Sequence, residues 1–195
     1  GSFDLSYLCC LPNFIVMAPS NGEELKNMIK LAQSINNKPS AIRYPRDFAY
    51  EYNNNNNFQK IFIGKGKILK KGKRIAFLNL GTRLKKVLEI NEMIKNHHKL
   101  NCTVVDMRFA KPIDAKLIQN LNKTHDIFIT IEENAIGGFS SQVNDLLINK
   151  LNKTPKILNF FMKDEFIDQS DIDDQYNKSG ISKELIFDKI STLLK

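Results

Sequence analysis

The sequence predicts an α/β protein in which a mostly parallel sheet is flanked by helices. Three observations lead to this prediction. Short apolar runs alternate with helical patterns along most of the chain, several of those runs are apolar at nearly every position, and 42% of the 195 residues are hydrophobic. Strands that are apolar on both faces are typical of sheets covered by helices on both sides. A chain of this length has room for one ordinary domain, or for a domain and part of another.

The amino-terminal stretch predicts a strand, a helix and a second strand, which are too few strands for a sheet of their own. The apolar run FIVM over 14–17 is the first strand. Helical spacing begins near Glu23 and is stopped by Pro39. The sequence SAIRYPR, over 40–46, is a strand that leaves into a turn.

Five consecutive asparagines then interrupt the pattern. A polar homopolymer contributes no side chains to a core, so it marks a linker or a tolerated loop insertion. The sequence therefore predicts that 1–50 is the end of one domain, that 51–57 is an Asn-rich linker or loop, and that 58–195 is a complete second domain.

Helices and strands alternate through the second segment. Two strand-like runs open it, joined by a Lys-rich turn around Gly72. The spacing of Gly64, Gly66 and Gly72 fits neither a Walker loop nor a dinucleotide fingerprint, so these are predicted to be hairpin glycines. The periodicity predicts further strands over 102–107, 126–133 and 156–161, and helices over 83–96, 111–121, 140–151 and 182–194.

Charge and cysteine usage limit the classes of function. The formal net charge is +8, but only five of the 29 basic residues are arginine, the side chain best suited to phosphate contacts in nucleic acids. No apolar run approaches the ~20 residues that span a bilayer. We therefore expect neither a nucleic acid nor a membrane as partner. The three cysteines have neither a metal-ligand spacing nor an even-numbered disulfide framework, so we expect no metal site and a reducing compartment.

Three segments carry candidate chemistry. Arg43 and Arg46 bracket a Tyr-Pro pair where a strand ends, which suits either a phosphate or carboxylate held by a guanidinium fork or a structural salt bridge. Glu132 and Glu133 end another strand before a glycine turn, where Ser140 or Ser141 would cap the next helix. Six acidic residues between 164 and 174 read as a solvated loop.

Seven segments, in order along nearly the whole chain, resemble the C-terminal part of the 1-deoxy-D-xylulose-5-phosphate synthases, thiamine-diphosphate enzymes of the transketolase superfamily. They are FDLSYL, MAPSNGEEL, PSAIRYPR, IGKGKILKKG, LNLGT, VVDMRFAKPID and EENAIGGFSS. The string formed by Asp106, Arg108, Pro112 and Asp114 would also fit transketolases and 2-oxoacid dehydrogenase β subunits. FDLSYL, IRYPR and EENAIGG narrow the resemblance to the synthases.

The resemblance implies a remnant of a pyrimidine-binding domain over 1–50 and a transketolase C-terminal-type domain over 58–195. It implies a transferase that condenses pyruvate with D-glyceraldehyde 3-phosphate, releases carbon dioxide and forms 1-deoxy-D-xylulose 5-phosphate for isoprenoid, thiamine and pyridoxal synthesis. Thiamine diphosphate and Mg²⁺ are the implied cofactors, and a homodimer is the implied assembly. In this family the arginine of the YPR string binds the phosphate of the acceptor, which gives that role to Arg46.

The remaining machinery of such an enzyme has no match in this sequence. There is no G-D-G…N string for Mg²⁺ and the diphosphate, and no catalytic residue is identified. Cofactor-binding residues are expected upstream of Gly1, within a longer chain, and the fragment alone is expected to be inactive. Asp47, Ser140 and Ser170 depart from the family pattern, because each stands where a glycine is usual.

Two alternatives stay open on the sequence. One is a transketolase or a 2-oxoacid dehydrogenase E1 β-type enzyme, which differs in its substrates. The other is a non-catalytic α/β interaction domain whose Lys-rich region, over 60–100, binds an acidic partner; that region holds 12 Lys and Arg against two Glu. The pathway runs in plastid-type organelles and in the bacterial cytoplasm, and the asparagine tract favours the organelle.

Overall fold

The computed structural model describes residues 2–45, 60–151 and 153–194, and within those ranges the chain forms seven helices and eight strands in two sheets. The described part of the chain contains no helix that is long and apolar enough to cross a membrane. The predicted α/β architecture is confirmed.

The smaller sheet is built mainly by the amino-terminal segment. This segment folds into α1 (Asp4–Cys10), β1 (Ile15–Met17), α2 (Gly22–Gln33) and β2 (Ser40–Ile42). The strands β1 and β2 pair in parallel, as a strand-helix-strand unit requires. Helix α2 begins where the side chain of Asn21 accepts a hydrogen bond from the backbone N–H of Glu24.

The larger sheet has five strands in the order β3-β5-β4-β7-β8. Strands β5, β4, β7 and β8 are parallel, and β3 lies antiparallel to β5 at the edge. The mostly parallel sheet is therefore confirmed. Its strands are β3 (Lys67–Lys70), β4 (Arg74–Asn79), β5 (Thr103–Asp106), β7 (His125–Ile131) and β8 (Lys156–Phe160).

Five helices cover this sheet on both faces. They are α3 (Leu84–His98), α4 (Ala115–Asn122), α5 (Phe139–Asn149), α6 (Ile172–Ser179) and α7 (Lys183–Leu194). Strand β4 shows the arrangement, because Ile75 and Phe77 pack in the cluster with α3 and α7 whereas Ala76 and Leu78 pack in the cluster with α4 and α5. Alternate side chains of a strand point to opposite faces, so a strand buried on both faces is apolar throughout.

The two segments are joined by a shared sheet and by a common core. Strand β6 (Phe109–Lys111) belongs to the second segment but pairs antiparallel with β1 in the smaller sheet. Leu5, Cys9 and Val16 of the first segment are buried in the same apolar cluster as Phe128 and Phe139 of the second. The predicted linker lies outside the described residues, so the division of the chain at 51–57 stays a prediction.

The predicted hairpin around Gly72 is wrong. Strand β3 pairs with β5 and not with β4, its neighbour along the chain. Gly72 is instead required by a close approach of backbones, because a Cβ atom there would lie 2.1 Å from the carbonyl oxygen of Asn101. Its N–H donates a hydrogen bond to the hydroxyl of Thr103.

The acidic stretch is also more ordered than the sequence interpretation proposed. Helix α6 begins inside it, where the side chain of Asp171 accepts a hydrogen bond from the N–H of Asp174. Acidic side chains in the first turn favour a helix because they interact with the positive end of its dipole. Gly180 ends the helix with a φ of 82°.

Candidate functional site

A cleft of about 670 Å³ opens between the two segments, at the carboxyl ends of β1, β2 and β4. Ligands of α/β proteins bind at this edge of a sheet, since the loops that follow the strands are free to vary there. The loops after these three strands and the start of α6 supply its walls. Polar lining residues include Ser20, Asn21, Tyr44, Thr82, Arg83 and Tyr176.

The amino end of α3 gives the cleft a positive character. Leu84, Lys85 and Lys86 in the first turn of this helix line the cleft, and no side chain caps the helix start. The positive end of the helix dipole favours an anion at such a position. The buried guanidinium of Arg83 lies 3.8 Å from the ring centre of Tyr176 and donates to the carbonyl of Ile181. Asp171 and Asp173, at the start of α6, also line the cleft, so an anionic group of a ligand is favoured only beside the wall formed by α3.

Arg46, the predicted phosphate-binding residue, lies outside the described residues. Pro45, which precedes it in the chain, lines the cleft together with Tyr44. Arg43 has the structural role that the sequence left open as one of two alternatives. Its guanidinium is held in a salt bridge, with Nη1 2.9 Å from a carboxylate oxygen of Glu133 and Nε 3.4 Å from Asp4.

Glu133 is the centre of a buried hydrogen-bond network directly below the cleft. Its side chain accepts hydrogen bonds from Arg43 Nη1, from the hydroxyl of Thr82 at 2.9 Å and from the hydroxyl of Tyr176 at 2.6 Å. Its backbone carbonyl accepts a further bond from Arg43 Nη2 at 2.8 Å. One carboxylate thus links the ends of β2, β4 and β7 with helix α6.

The network keeps Glu133 ionised although it is only 5% exposed. Burial by itself raises the pKa of a carboxyl, but the guanidinium of Arg43 and the hydroxyl of Tyr176 outweigh burial and lower the pKa of Glu133 below its usual value. The pKa of Tyr176 is raised, first by burial and then by the neighbouring Glu133 carboxylate, so its hydroxyl stays protonated as a donor.

Glu132 performs the capping role that the sequence assigned to Ser140 or Ser141. Its two carboxylate oxygens accept hydrogen bonds from the backbone N–H groups of Phe139 and Ser140, at 2.9 and 2.8 Å. The helix therefore begins at Phe139, earlier than predicted, and no side-chain cap comes from its own N-cap residue, Gly138. A carboxylate from the preceding strand end reaches these N–H groups because the glycine turn folds back on it.

A second polar cluster crosses between the segments beside the cleft. Ser20, which lines the cleft, donates to the buried carboxyl of Asp106 at 2.6 Å. The guanidinium of Arg108 pairs with Glu24 at the start of α2. Burial raises the pKa of Asp106 from its usual 3.8 to about 7, despite the hydrogen bond from Ser20. Asp106 and Arg108 of the D-x-R-x-x-x-P-x-D string thus connect the two segments through side-chain contacts.

The remaining residues of interest have local roles or lie outside the described ranges. Asp114 caps α4 by accepting from the N–H of Leu117, and it also accepts from the N–H of Gly66. Ser140 is buried in the first turn of α5, Ser170 is partly buried just before α6, and Asp47 is not among the described residues. In the described ranges, no group of three or more His, Cys, Asp or Glu could hold a metal ion.

Sequence reasoning missed Thr82, Tyr176, Ser20 and Asn21 as lining residues. For Thr82 a signal existed, since it lies shortly after the carboxyl end of β4, and ligands bind at this edge of the sheet. For Tyr176 there was none, because it is 43 residues from Glu133 in the chain and no local pattern connects the two.

Two family profiles match the chain. Residues 64–186 match the family described as "Transketolase, C-terminal domain", and residues 1–50 match "Transketolase, pyrimidine binding domain". Curated relatives named 1-deoxy-D-xylulose-5-phosphate synthase are 41% identical over 95% of the chain in Psychromonas ingrahamii and 40% identical over all of it in Blochmanniella floridana. A relative from Cannabis sativa, named 1-deoxy-D-xylulose-5-phosphate synthase 1, chloroplastic, is 38% identical over 93% of the chain. The chain spans 30%, 31% and 26% of these three proteins.

Solved structures agree on the fold. A protein described as "Split gene transketolase, inactive beta4 tetramer" superposes with a TM-score of 0.84 at 26% identity, covering 98% of this chain and 61% of its own. A transketolase from Campylobacter jejuni superposes with a TM-score of 0.67 at 19% identity, covering 96% of this chain and 27% of its own, which indicates a shared fold.

Proposed function

The chain belongs to the transketolase C-terminal domain family, and from this premise we propose that it is the C-terminal part of a 1-deoxy-D-xylulose-5-phosphate synthase. Identities near 40% to synthases from bacteria and a plant support the proposal. The reaction is the condensation of pyruvate with D-glyceraldehyde 3-phosphate, with loss of carbon dioxide. The family alternatives, a transketolase or a 2-oxoacid dehydrogenase β-type enzyme, have less support, because the curated relatives described above carry the synthase name.

We propose that this chain contributes to binding the phosphorylated acceptor, through Arg46. The observation that carries this role is the cleft, which is lined by the two residues that precede Arg46 and by the uncapped amino end of α3. A guanidinium fork matches the geometry of a phosphate dianion, and a helix amino end adds favourable dipoles. Arg83 and Lys86 in the same wall add positive charge.

Thiamine diphosphate, when bound, supplies the stabilised carbanion for this chemistry. Within the described ranges no three side chains of His, Cys, Asp or Glu come together, and the sequence has no G-D-G…N string for Mg²⁺ and the diphosphate. We therefore propose that the diphosphate and Mg²⁺ are bound by other parts of the synthase, and that residues 1–195 by themselves are inactive. No catalytic residue of this chain is proposed.

The proposed location follows the relatives, and the proposed assembly follows the family resemblance of the sequence. We propose a homodimer, and we propose a plastid-type organelle as the location, with a bacterial cytoplasm as the alternative. Relatives from a plant chloroplast and from bacteria support both locations, and the asparagine tract is the feature that favours the organelle.

The proposal is tested in a full-length synthase that carries this sequence. The wild-type enzyme should form 1-deoxy-D-xylulose 5-phosphate from pyruvate and D-glyceraldehyde 3-phosphate, and should not transfer ketol units between sugar phosphates. Arg46→Ala should raise KM for glyceraldehyde 3-phosphate far more than KM for pyruvate. Arg74→Ala is the matched control, because Arg74 is exposed at the opposite end of β4. Equal effects on both substrates, or none, would contradict the assignment of Arg46.

A further inference from the structure

We propose that a side pocket next to the cleft binds a small phosphate ester that carries hydroxyl groups. The side pocket has a volume of about 210 Å³ and lies between the starts of α3 and α7 and the helix α6. The proposal goes beyond the proposed function, because it concerns a ligand other than the acceptor and rests on described residues of the second segment alone. The residues that line the side pocket include Arg83, Lys86, Asp173, Ser182, Lys183 and Glu184.

The side chain of Arg83 is a buried cation without a salt-bridge partner in the described part of the chain. Only 4% of the residue is exposed. Its Nη2 donates to the carbonyl of Ile181 at 2.8 Å, its guanidinium lies against the ring of Tyr176, and its Nε has no hydrogen-bond partner. An arginine is almost never buried in this way unless an anion accompanies it. Since Arg83 borders the side pocket, the pocket is the place for that anion.

Glu133 does not serve as the missing partner of Arg83. Its carboxylate already accepts hydrogen bonds from Arg43, Thr82 and Tyr176. Burial raises the pKa of Glu133, Arg43 is the cation that lowers it most, and Arg83 adds a smaller effect in the same direction. Arg83 therefore contributes to the field around Glu133 and keeps its own hydrogen-bonding capacity for a ligand.

Two further features favour negative charge beside Arg83. Lys86 lines the same pocket, and its contact with Glu89 is long, at 3.9 Å. The side pocket also lies at the amino ends of two helices, since Arg83 precedes α3 and Ser182 precedes α7. The positive ends of both helix dipoles favour an anion there. A phosphate group suits the combination of a guanidinium fork and an ammonium group.

Acidic side chains in the lining indicate the rest of the ligand. Asp173 lies in the first turn of α6 and Glu184 in the first turn of α7. Lys183 is engaged by Glu89 at 3.0 Å and by Glu184 at 3.7 Å. Carboxylates repel a phosphate but accept hydrogen bonds from hydroxyl groups. The ligand would therefore direct its phosphate to Arg83 and its hydroxyl groups to the carboxylates, and the volume of the pocket limits it to a small ester.

The test measures binding of glycerol 3-phosphate to the chain of residues 1–195 by isothermal titration calorimetry. The ester should bind more tightly than inorganic phosphate, because inorganic phosphate lacks the alcohol hydroxyl groups. Arg83→Gln should weaken binding of the ester by about tenfold or more, since a charge-assisted hydrogen bond is lost. Absence of binding to the wild-type chain at millimolar concentrations, or equal affinity for the ester and inorganic phosphate, would overturn the proposal.

Two lysines of α3 provide a matched pair of variants that remains informative if Arg83→Gln does not fold. Lys86 and Lys95 each lie near a glutamate three residues away, and both are at least partly exposed. Lys86→Gln should weaken binding of glycerol 3-phosphate by about threefold, because one cation of the pocket is lost. Lys95→Gln should leave the Kd unchanged, since Lys95 lies in the last turn of the helix. An unchanged Kd in folded Lys86→Gln would contradict the proposed site.

Arg46→Ala separates the side pocket from the acceptor site. The Kd of this variant for glycerol 3-phosphate should equal that of the wild type. Binding that is lost in Arg46→Ala and kept in Arg83→Gln would assign the ligand to the acceptor site, which overturns this proposal while the proposed function stands. A full-length enzyme that does not convert pyruvate and glyceraldehyde 3-phosphate would instead overturn the proposed function and leave the side pocket as proposed.

Discussion

Glu132 and Glu133 are adjacent in the chain, yet their carboxylates hold different parts of the molecule and their pKa values shift in opposite directions. Glu132 accepts from two N–H groups at the start of α5, and burial raises its pKa. Glu133 is equally buried but faces the guanidinium of Arg43, which lowers its pKa. The guanidinium of Arg43 therefore explains why the pKa of Glu133 is lowered while that of its buried neighbour Glu132 is raised.

The first prediction concerns the cap of α5. Glu132→Ala should lower the free energy of unfolding by about 3 kcal/mol, because two buried N–H groups lose their acceptors. Urea denaturation of the chain measures this change. Asp126→Ala is the control, since Asp126 forms an exposed ion pair with Lys153 and its loss should leave the midpoint unchanged. Equal midpoints for Glu132→Ala and the wild type would contradict the capping role.

The second prediction concerns the pH dependence that Asp106 gives the fold. Its pKa in the folded chain is raised from 3.8 to about 7. The stability that the protonated carboxyl contributes is therefore complete below about pH 4 and is lost as the pH rises through about 7. Asp106→Asn stays neutral, so its advantage over the wild type should grow across this range, by about 4 kcal/mol at most.

Urea midpoints at pH 4, 5, 6 and 7 check this prediction. The amide can still accept from the N–H of Arg108 and donate to the hydroxyl of Ser20, so the geometry is retained. Asp126→Asn should show no growing difference, because the pKa of Asp126 is lowered by its bond to Lys153 and it titrates below this range. A difference between Asp106→Asn and the wild type that does not depend on pH would refute the prediction.

The third prediction compares two glycines. Gly72→Ala should cost about 3 kcal/mol of stability, because the new Cβ meets the backbone of Asn101 and Cys102. This backbone leads into β5 and can move away only if the pairing of β3 with β5 is disturbed. Gly81→Ala should cost about 1 kcal/mol, since its φ of 79° is strained for alanine but its nearest neighbour is 3.6 Å away. Thermal melting of the two variants should rank them in this order, and the reverse order would be inconsistent with the structure.

The fourth prediction concerns the three cysteines. Burial raises the pKa of Cys9 and of Cys102 to about 12, so these thiols are not reactive at neutral pH, whereas Cys10 is exposed. A thiol reagent such as Ellman's should therefore label one cysteine in the native chain and all three in denaturant. The Cys10→Ser variant should show almost no native labelling, and rapid labelling of Cys9 or Cys102 would disprove the burial of these side chains.

The sequence predicted the parts of the fold that are apolar over several residues. Strand β7 and helix α3 were found because their own side chains, such as Phe128 or Ile90, form a pattern within one element. Strand β6 was missed because it has three residues and is stabilised by pairing with β1, some 90 residues earlier. Helix α6 was missed because its composition is polar, although Asp171 and Gly180 are typical start and stop residues.

The candidate site was predicted less completely, for the same physical reason. The sequence offered a salt bridge as one of two roles for Arg43, but it could not identify Glu133 as the partner, because 90 residues separate them. The capping role went to Glu132 and not to a serine because the turn after β7 brings the carboxylate to the helix start. Both cases depend on a contact between elements, which no local pattern encodes.

The core shared between the two segments has a consequence for handling the protein as fragments. Leu5, Cys9 and Val16 are covered by residues of the second segment, and Asn134 accepts a hydrogen bond from the N–H of Leu5. Expressed alone, residues 60–195 would expose the apolar surface that these side chains cover, and would be prone to aggregate. Co-expressed as two polypeptides divided after Pro45 and before Lys60, the pieces should co-purify, held by the same interface without a covalent connection.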